Sequence, residues 1–271
     1  MRDKNVPAYV GAGAILLAIA NPDVRRALVD AFRTRGAVTI IETSNYEGLV
    51  EILKNNVVDV LVADDFLSEL PVAGVIRKVR QGGMHAHPFP LVAVLAYERQ
   101  ADHLHSLIDS GPDAVLLTPV SVTELYAKID SLIAGRKAFV VTRDYIGPDR
   151  RKAPRDGGAQ PQSVEVPNPL TQGEDPAIFL AAIEKASASL DSAKIQCSIE
   201  QLAWAMKSGT EADFAALLPL VEQLASTAKR DSLKAAAREL AAALKGGDVS
   251  VIMASATRLT QLEAVVPVAP E

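Results

Sequence analysis

The chain has 271 residues, a formal net charge of −5, 49% hydrophobic and 4% aromatic residues, and one cysteine, Cys197. The length suits one large or two modest domains with aliphatic cores. The acidity excludes a general nucleic-acid binder, the scarce aromatics exclude a broad stacking surface, and the lone cysteine excludes an intramolecular disulfide or a multi-cysteine zinc site while suiting a reducing cytosol.

In chain order, short β-branched runs alternate with amphipathic helical patterns. Strands are expected at about 14–20, 37–42, 58–63, 90–95 and 113–117, and helices at about 22–35, 45–55, 71–81, 99–110 and 121–134. The apolar stretch from Ala14 to Ala20 is read as a buried strand rather than a signal peptide or anchor, because Asn21-Pro22-Asp23 opens a helix at once. No apolar run has the roughly 18 residues of a membrane helix, so a cytoplasmic protein without membrane association is expected. Strands that are apolar throughout point to a parallel sheet covered on both faces. The expected fold class is α/β, a flavodoxin-like doubly wound five-stranded parallel sheet over residues 1–135, with its functional crevice at the carboxyl ends of the strands.

Residues 136–175 change character. From Arg136 to Asp156 there are seven basic and three acidic residues, and prolines and glycines follow, so 136–175 reads as an arginine-rich segment and a linker, flexible over roughly 153–173. From 176 to 265 an Ala-rich helical pattern takes over. Gln201–Thr210 aligns with Glu239–Asp248, 38 residues on, each ending a helix at Lys-(Ser/Gly)-Gly before a capping Thr210 or Asp248. Two such hairpin repeats imply an all-α helical bundle of five helices. Trp204 and the stripe Leu217, Leu218, Val221 and Leu224 are read as its core or as the face of a homodimer.

The motif most charged with chemistry is Val58-Asp-Val-Leu-Val-Ala-Asp64, which ends an apolar strand on a carboxylate. With Asn21-Pro-Asp-Val after the first strand and Gly111-Pro-Asp-Ala-Val-Leu-Leu-Thr-Pro119 at the fifth, it resembles the response-regulator receiver (CheY-like) family. The resemblance implies that Asp64 is the phosphoacceptor position. It also shows what is missing. The family's acidic pair after the first strand, which binds Mg²⁺ with the acceptor, reads Ile19 and Ala20 here; its Thr or Ser at the end of the fourth strand reads Leu95; its Lys before Pro119 reads Thr118; and its Pro four residues after the acceptor reads Ser68. Phosphoryl transfer rests on positioning and charge neutralisation, so losing the metal carboxylates and the lysine removes most of the stabilisation. Asp64 is therefore expected to be inactive as an acceptor, and it reads first as a strand-end turn or helix-capping carboxylate, with a charged partner-binding face as the remaining reading.

Arg143-Asp-Tyr-Ile-Gly-Pro-Asp-Arg-Arg-Lys-Ala-Pro-Arg155 is the sharpest short motif. Guanidinium groups grip phosphates and guanine edges, a carboxylate accepts from the guanine N–H and amino groups, and Tyr145 offers an aromatic face. The segment resembles the arginine-rich tails of Cle-type CheY-like proteins, which bind cyclic di-GMP. That resemblance implies Arg143, Tyr145, Asp149, Arg150, Arg151 and Arg155 as ligand contacts and cyclic di-GMP as the candidate ligand. Docking of the same residues onto the receiver-like domain and a solvated basic turn are the competing readings.

Other signals are weaker. His85, His87, His103 and His105 form two His-x-His pairs, read as surface histidines rather than metal ligands. No histidine follows His105, which excludes histidine phosphotransfer in the helical domain, and no catalytic constellation is visible. The expected protein is non-enzymatic and needs no cofactor or metal. It signals through a protein partner bound at the receiver-like face or the helical bundle, with a conventional regulator phosphorylated on Asp64 and a ligand-free structural adaptor as the alternatives.

Overall fold

The computed structural model of the chain describes residues 14–34, 36–97, 99–151, 162–169, 176–208, 218, 221–222, 225 and 231–264. They divide into two compact units, Met1–Ser187 and Ala188–Glu271.

The first unit is built on a five-stranded sheet of β1 (Ala14–Ala18), β2 (Ile40–Thr43), β3 (Val58–Asp64), β6 (Leu91–Ala96) and β7 (Ala114–Leu117). Its order is β2-β1-β3-β6-β7 with every pairing parallel, which is the doubly wound flavodoxin-like order expected from the sequence. The order reverses beside β1, so the crevice outside the carboxyl ends of β1 and β3 lies at the switch point. Side chains alternate across the sheet. On β3, Leu61 and Ala63 join a core with Leu49 and Leu53 of α2 (Tyr46–Asn55), Val75 and Ile76 of α3 (Ala73–Arg80) and Leu107 of α4 (Ala101–Ile108). Val60 and Val62 face Leu28 and Phe32 of α1 (Pro22–Thr34) and Leu125 and Ile129 of α5 (Val122–Ala134). Each buried side chain of this size stabilises by about 1.5–3 kcal/mol, so both faces of the sheet are committed to the fold.

The helix starts follow from local sequence. The Asn21 side chain accepts the Asp23 and Val24 N–H groups at 2.9 and 3.3 Å, with Pro22 at the first helical position. Asn45 accepts from Gly48, and Ser121 with Glu124 forms a capping box.

Three features depart from the sequence reading. After Asp64 the chain makes a small hairpin, β4 (Phe66–Leu67) against β5 (Leu70–Pro71), turned by Ser68 and Glu69 at φ 49° and 62°. Both turn residues have positive φ, the signature of a tight primed turn. Proline, locked near φ −65°, has no place at Ser68. The segment after α5 is folded rather than a linker over its described part. β8 (Phe139–Val141), β9 (Ile146–Pro148) and β10 (Gln162–Val164) form an antiparallel sheet in the order β10-β8-β9. The ordered extension therefore runs past residue 135, and β10 lies inside the stretch expected to be flexible. Finally, His85 and His87 are buried, not superficial, at 8% and 5% exposure. The Val58 N–H donates to His85 Nε2 at 2.9 Å and His85 Nδ1 pairs with the His87 carbonyl at 2.8 Å, so a neutral imidazole bridges the start of β3 to the loop before β6.

The second unit includes α7 (Asp231–Gly246) and α8 (Val249–Ala264), packed through Ala237, Leu240, Ile252, Ala256 and Leu259. α6 (Pro176–Ser208) spans the division as one continuous helix of 33 residues. The second repeat has the expected ending: Gly247 takes φ 73°, and Asp248 Oδ1 accepts the Ser250 N–H at 2.9 Å to begin α8. The first repeat's Gly209-Thr210 and most of the following segment lie outside the described residues, as does the side chain of Trp204. No helix among the described residues is long and apolar enough to cross a membrane.

Candidate functional site

Asp64 is the last residue of β3 and is 3% exposed. Its Oδ2 accepts the Ala20 N–H at 2.8 Å across the crevice from the end of β1, while Oδ1 has no hydrogen-bond partner. Burial pushes this carboxyl up to about 6; the Ala20 N–H, the neighbouring Tyr97 side chain and Arg25 oppose that shift, and Asp65 adds to it.

The side chains around it come from α1 and from the ends of β6 and β7. Ile19 is fully buried and Ala20 offers only its backbone. Arg25 from α1 covers the end of β1 instead: its Nη1 donates to the Ile19 carbonyl at 2.6 Å and to the Ala20 carbonyl at 3.4 Å, and its Nε lies 3.3 Å from Glu42. A tethered guanidinium thus binds the backbone carbonyls of Ile19 and Ala20, the two positions whose side chains the resemblance would make carboxylates. Leu95 is core. Thr118 turns its hydroxyl onto the Ala96 carbonyl at 3.1 Å, and its own carbonyl accepts Arg99 Nη2 at 2.9 Å. Among the described residues no group of three His, Cys, Asp or Glu side chains is placed to hold a metal ion.

Asp65 organises the adjoining loop. Its Oδ1 accepts the Phe66 N–H at 3.1 Å, and its Oδ2 accepts the Tyr97 N–H at 3.0 Å and His103 Nε2–H at 3.1 Å. The His103 ring stacks on Phe66 at 4.7 Å between centroids. Sequence reasoning missed Arg25, Tyr97 and Arg99, and it read His103 as a surface histidine, whereas its side chain is 13% exposed and paired with Asp65. An i+4 step from Asn21 to Arg25 is the one local signal that brings Arg25 back over the strand end; Tyr97 and Arg99 come from the connection between β6 and α4, and His103 from α4.

The arginine segment is not one open cradle. Arg143 lies in the β8–β9 turn with its side chain 58% exposed and 3.6 Å from Asp144. Tyr145 donates its hydroxyl to the Pro148 carbonyl at 2.8 Å and accepts Arg150 Nε at 3.3 Å; Arg150 Nη2 reaches the Pro112 carbonyl at 2.5 Å. Arg151 closes on Asp149 in a two-pronged pair, Nε–Oδ1 3.0 Å and Nη2–Oδ2 2.8 Å, and these hydrogen bonds hold the Asp149 carboxyl down at about 2. Arg155 lies outside the described residues. Gly147 passes so close to Gly111 that a Cβ on Gly147 would lie 2.7 Å from the Gly111 Cα, and one on Gly111 would collide with the Ile146 carbonyl. Only glycine admits that approach.

What fastens this segment is a buried network that was not anticipated. Asp113, before β7, takes Arg136 Nε on Oδ1 at 2.9 Å, and Arg80 Nη2 and the Val92 N–H on Oδ2, both at 2.8 Å. Arg80 also donates to the carbonyls of Gly111, Pro88 and Pro90, and Arg136 to those of Phe89, Pro90 and Pro167. The Phe139 ring of β8 lies 4.9 Å from one guanidinium and 5.2 Å from the other. Burial raises the Asp113 carboxyl, but the Arg136 and Arg80 charges outweigh it and leave it below its ordinary value; burial lowers Arg80 to about 10.

No family model and no curated protein sequence matches the chain. Solved structures similar to it include a response regulator from Thermotoga maritima, at 20% identity and TM-score 0.39 over 45% of this chain and 98% of that one. A two-component response regulator from Clostridium difficile is 20% identical, with TM-score 0.40 over 45% and 96%. A DNA-binding response regulator of the LuxR family from Staphylococcus aureus is 17% identical, with TM-score 0.38 over 44% and 98%. The strand order and register carry the fold assignment; these likenesses add no argument about activity.

Proposed function

We propose that the first unit is a receiver-like signalling module that works without phosphorylation of Asp64, as part of a cytoplasmic, non-enzymatic protein acting through contact with a protein partner. The observation that supports this reading is the crevice itself: a buried Asp64 is held by the Ala20 N–H, and the Arg25 guanidinium lies over the end of β1 where a divalent cation would need carboxylate oxygens. Hard cations are held by oxygen ligands, and Ile19 and Ala20 bring none from their side chains. The cation that acts on Asp64 is Arg25, whose guanidinium is already committed to the Ile19 and Ala20 carbonyls and to Glu42, so little charge is left to meet the one that develops in phosphoryl transfer.

The test is incubation of the full chain with a small phosphodonor and Mg²⁺, followed by intact mass measurement. No phosphoryl adduct is expected. An acid-labile adduct that disappears in Asp64→Ala overturns the reading and restores a conventional response regulator.

A second reading concerns the arginine segment. Arg143 is exposed, and the Arg151–Asp149 pair is about one-third exposed, so a guanine edge could displace one partner of the pair and keep the other. Cyclic di-GMP is the proposed ligand. Labelled nucleotide should bind wild type and lose affinity in Arg150→Ala/Arg151→Ala; no binding at micromolar protein overturns it and leaves the segment as a structural clip.

A further inference from the structure

Beside the β4–β5 hairpin the surface opens into a groove of about 420 Å³ along α2. Its apolar lining comes from Tyr46 and Val50, one helical turn apart, and from Leu70 on the hairpin. Leu49 and Leu53, on the other side of α2, are fully buried in the core, which fixes the helix rotation and leaves Tyr46 and Val50 at its margin. Leu70 is 43% exposed and is presented by a turn whose two residues both have positive φ, so the short hairpin defines its position. A single exposed leucine is ordinary; three apolar side chains converging on one concavity form a site that can take a partner's side chains.

The rim has a sign. Glu47 and Glu51 line the groove, Glu69 is exposed beside Leu70, and Lys54 is the one cation in the lining. We infer that the groove between α2 and the β4–β5 hairpin docks a basic amphipathic helix of a partner protein, its apolar side chains against Tyr46, Val50 and Leu70 and its lysines or arginines facing Glu47, Glu51 and Glu69. An apolar face laid in a groove supplies affinity, and charges of opposite sign at the rim supply orientation and exclude acidic helices. The inference rests on the protein-contact reading of this unit and names the face used. It does not depend on the chemical state of Asp64.

The probe is a labelled helical peptide with Leu at i, i+3, i+4 and i+7 and Lys elsewhere, titrated into the full chain and followed by polarisation and by NMR shift mapping. A Leu/Glu peptide of the same pattern is the control. The Leu/Lys peptide should saturate at micromolar concentration, with shifts confined to α2 and the hairpin. Leu70→Ser and Glu47→Lys/Glu51→Lys should each weaken it by about tenfold, and the Leu/Glu peptide should bind wild type at least about tenfold more weakly. Leu70, Glu47 and Glu51 are on the surface, so these variants keep the fold; unchanged far-ultraviolet dichroism checks that. Equal binding of both peptides, shifts elsewhere such as around Tyr97 and Leu117, or a homodimer in sedimentation that Leu70→Ser dissociates would each overturn the inference. The last outcome would assign the groove to a second copy of the chain. Phosphorylation of Asp64 would sink the reading above and leave this map unchanged, so the two failures are distinguishable.

Discussion

Asp64 and Asp113 lie toward opposite ends of the parallel sheet with their carboxylates out of solvent, and the chain treats them in opposite ways. At the carboxyl end Asp64 has one backbone hydrogen bond, an oxygen without a partner, and a carboxyl raised to about 6. Near the amino end of β7, Asp113 takes two guanidinium groups and a backbone N–H and sits below its ordinary value although its side chain is only 1% exposed. A buried charge is tolerated when paired and costly when not. Asp113 ties the fold to its extension, whereas the raised Asp64 carboxyl is a charge that costs stability near neutral pH, beside a fully bonded Asp65.

The largest effect should come from breaking the Asp113 network. Asp113→Ala leaves Arg80 and Arg136 buried without their carboxylate, and the first unit should lose about 3–5 kcal/mol in urea unfolding. Hydrogen exchange should speed up over β8–β10 as well as over β6 and β7, because Arg136 ties Pro167 to the Phe89–Pro90 carbonyls. A loss under about 1 kcal/mol would remove the contrast between the two ends.

Next in size is the acid response of the histidine pair. Burial holds His87 down at about 3 and His85 in the same direction. For His87 the native state binds fewer protons than the unfolded chain between about 3 and the ordinary 6.5. Its contribution is therefore intact above 6.5 and falls away as pH drops through that window. Roughly 3 kcal/mol of the loss between pH 7 and 4 should vanish in His87→Leu. Urea midpoints measured across that range check it; parallel curves for the two proteins would disprove it.

Much of the sheet was legible because its signals are local. β-branched runs, amphipathic helical patterns and the Asn21-Pro22-Asp23 helix start mark the elements to within a few residues. The parallel order followed from alternation, strands apolar throughout and right-handed crossovers together. Asp64 was also legible, since a strand-end carboxylate is visible in one dimension. The rest was hidden by sequence separation. Arg80, Asp113 and Arg136 meet across separations of 33 and 23 residues, and nothing in their local context separates them from solvated surface charges. The buried His85-x-His87 pair looked superficial because its partner, the Val58 N–H, is 27 residues away. The arginine run was legible as a cluster of charge. Whether those charges face outward or pair inward depends on the Gly111–Gly147 approach, which only the folded chain provides.

A smaller effect of opposite sign is expected at Asp64. Its carboxyl is raised, so the native state binds more protons than the unfolded chain between about 3.8 and 6. Stability contributed by this group is greatest below that window and declines as pH rises through it. Asp64→Asn keeps the shape and removes the charge, so it should stabilise by about 1–2 kcal/mol at pH 7.5 and by little at pH 4. A variant that is destabilised at pH 7.5 would mean that the Asp64 charge is paired after all, and the two ends would no longer differ in kind.

The smallest effect should appear at the Arg151–Asp149 pair. Its geometry is two-pronged and as short as that of the Asp113 pairs, yet both side chains are about one-third exposed. Water and salt screen such a pair, and its formation costs side-chain entropy, so Arg151→Ala should change stability by less than about 1 kcal/mol. The Arg80–Asp113 pair has the same 2.8 Å separation but only 1% exposure on each side. Measuring both variants in one urea series therefore compares two ion pairs of similar geometry that differ in burial and in the number of shared hydrogen bonds. If Arg151→Ala costs as much as Asp113→Ala, burial is not what distinguishes the two, and the arginine hairpin owes its place to its own surface charges rather than to the network beneath it.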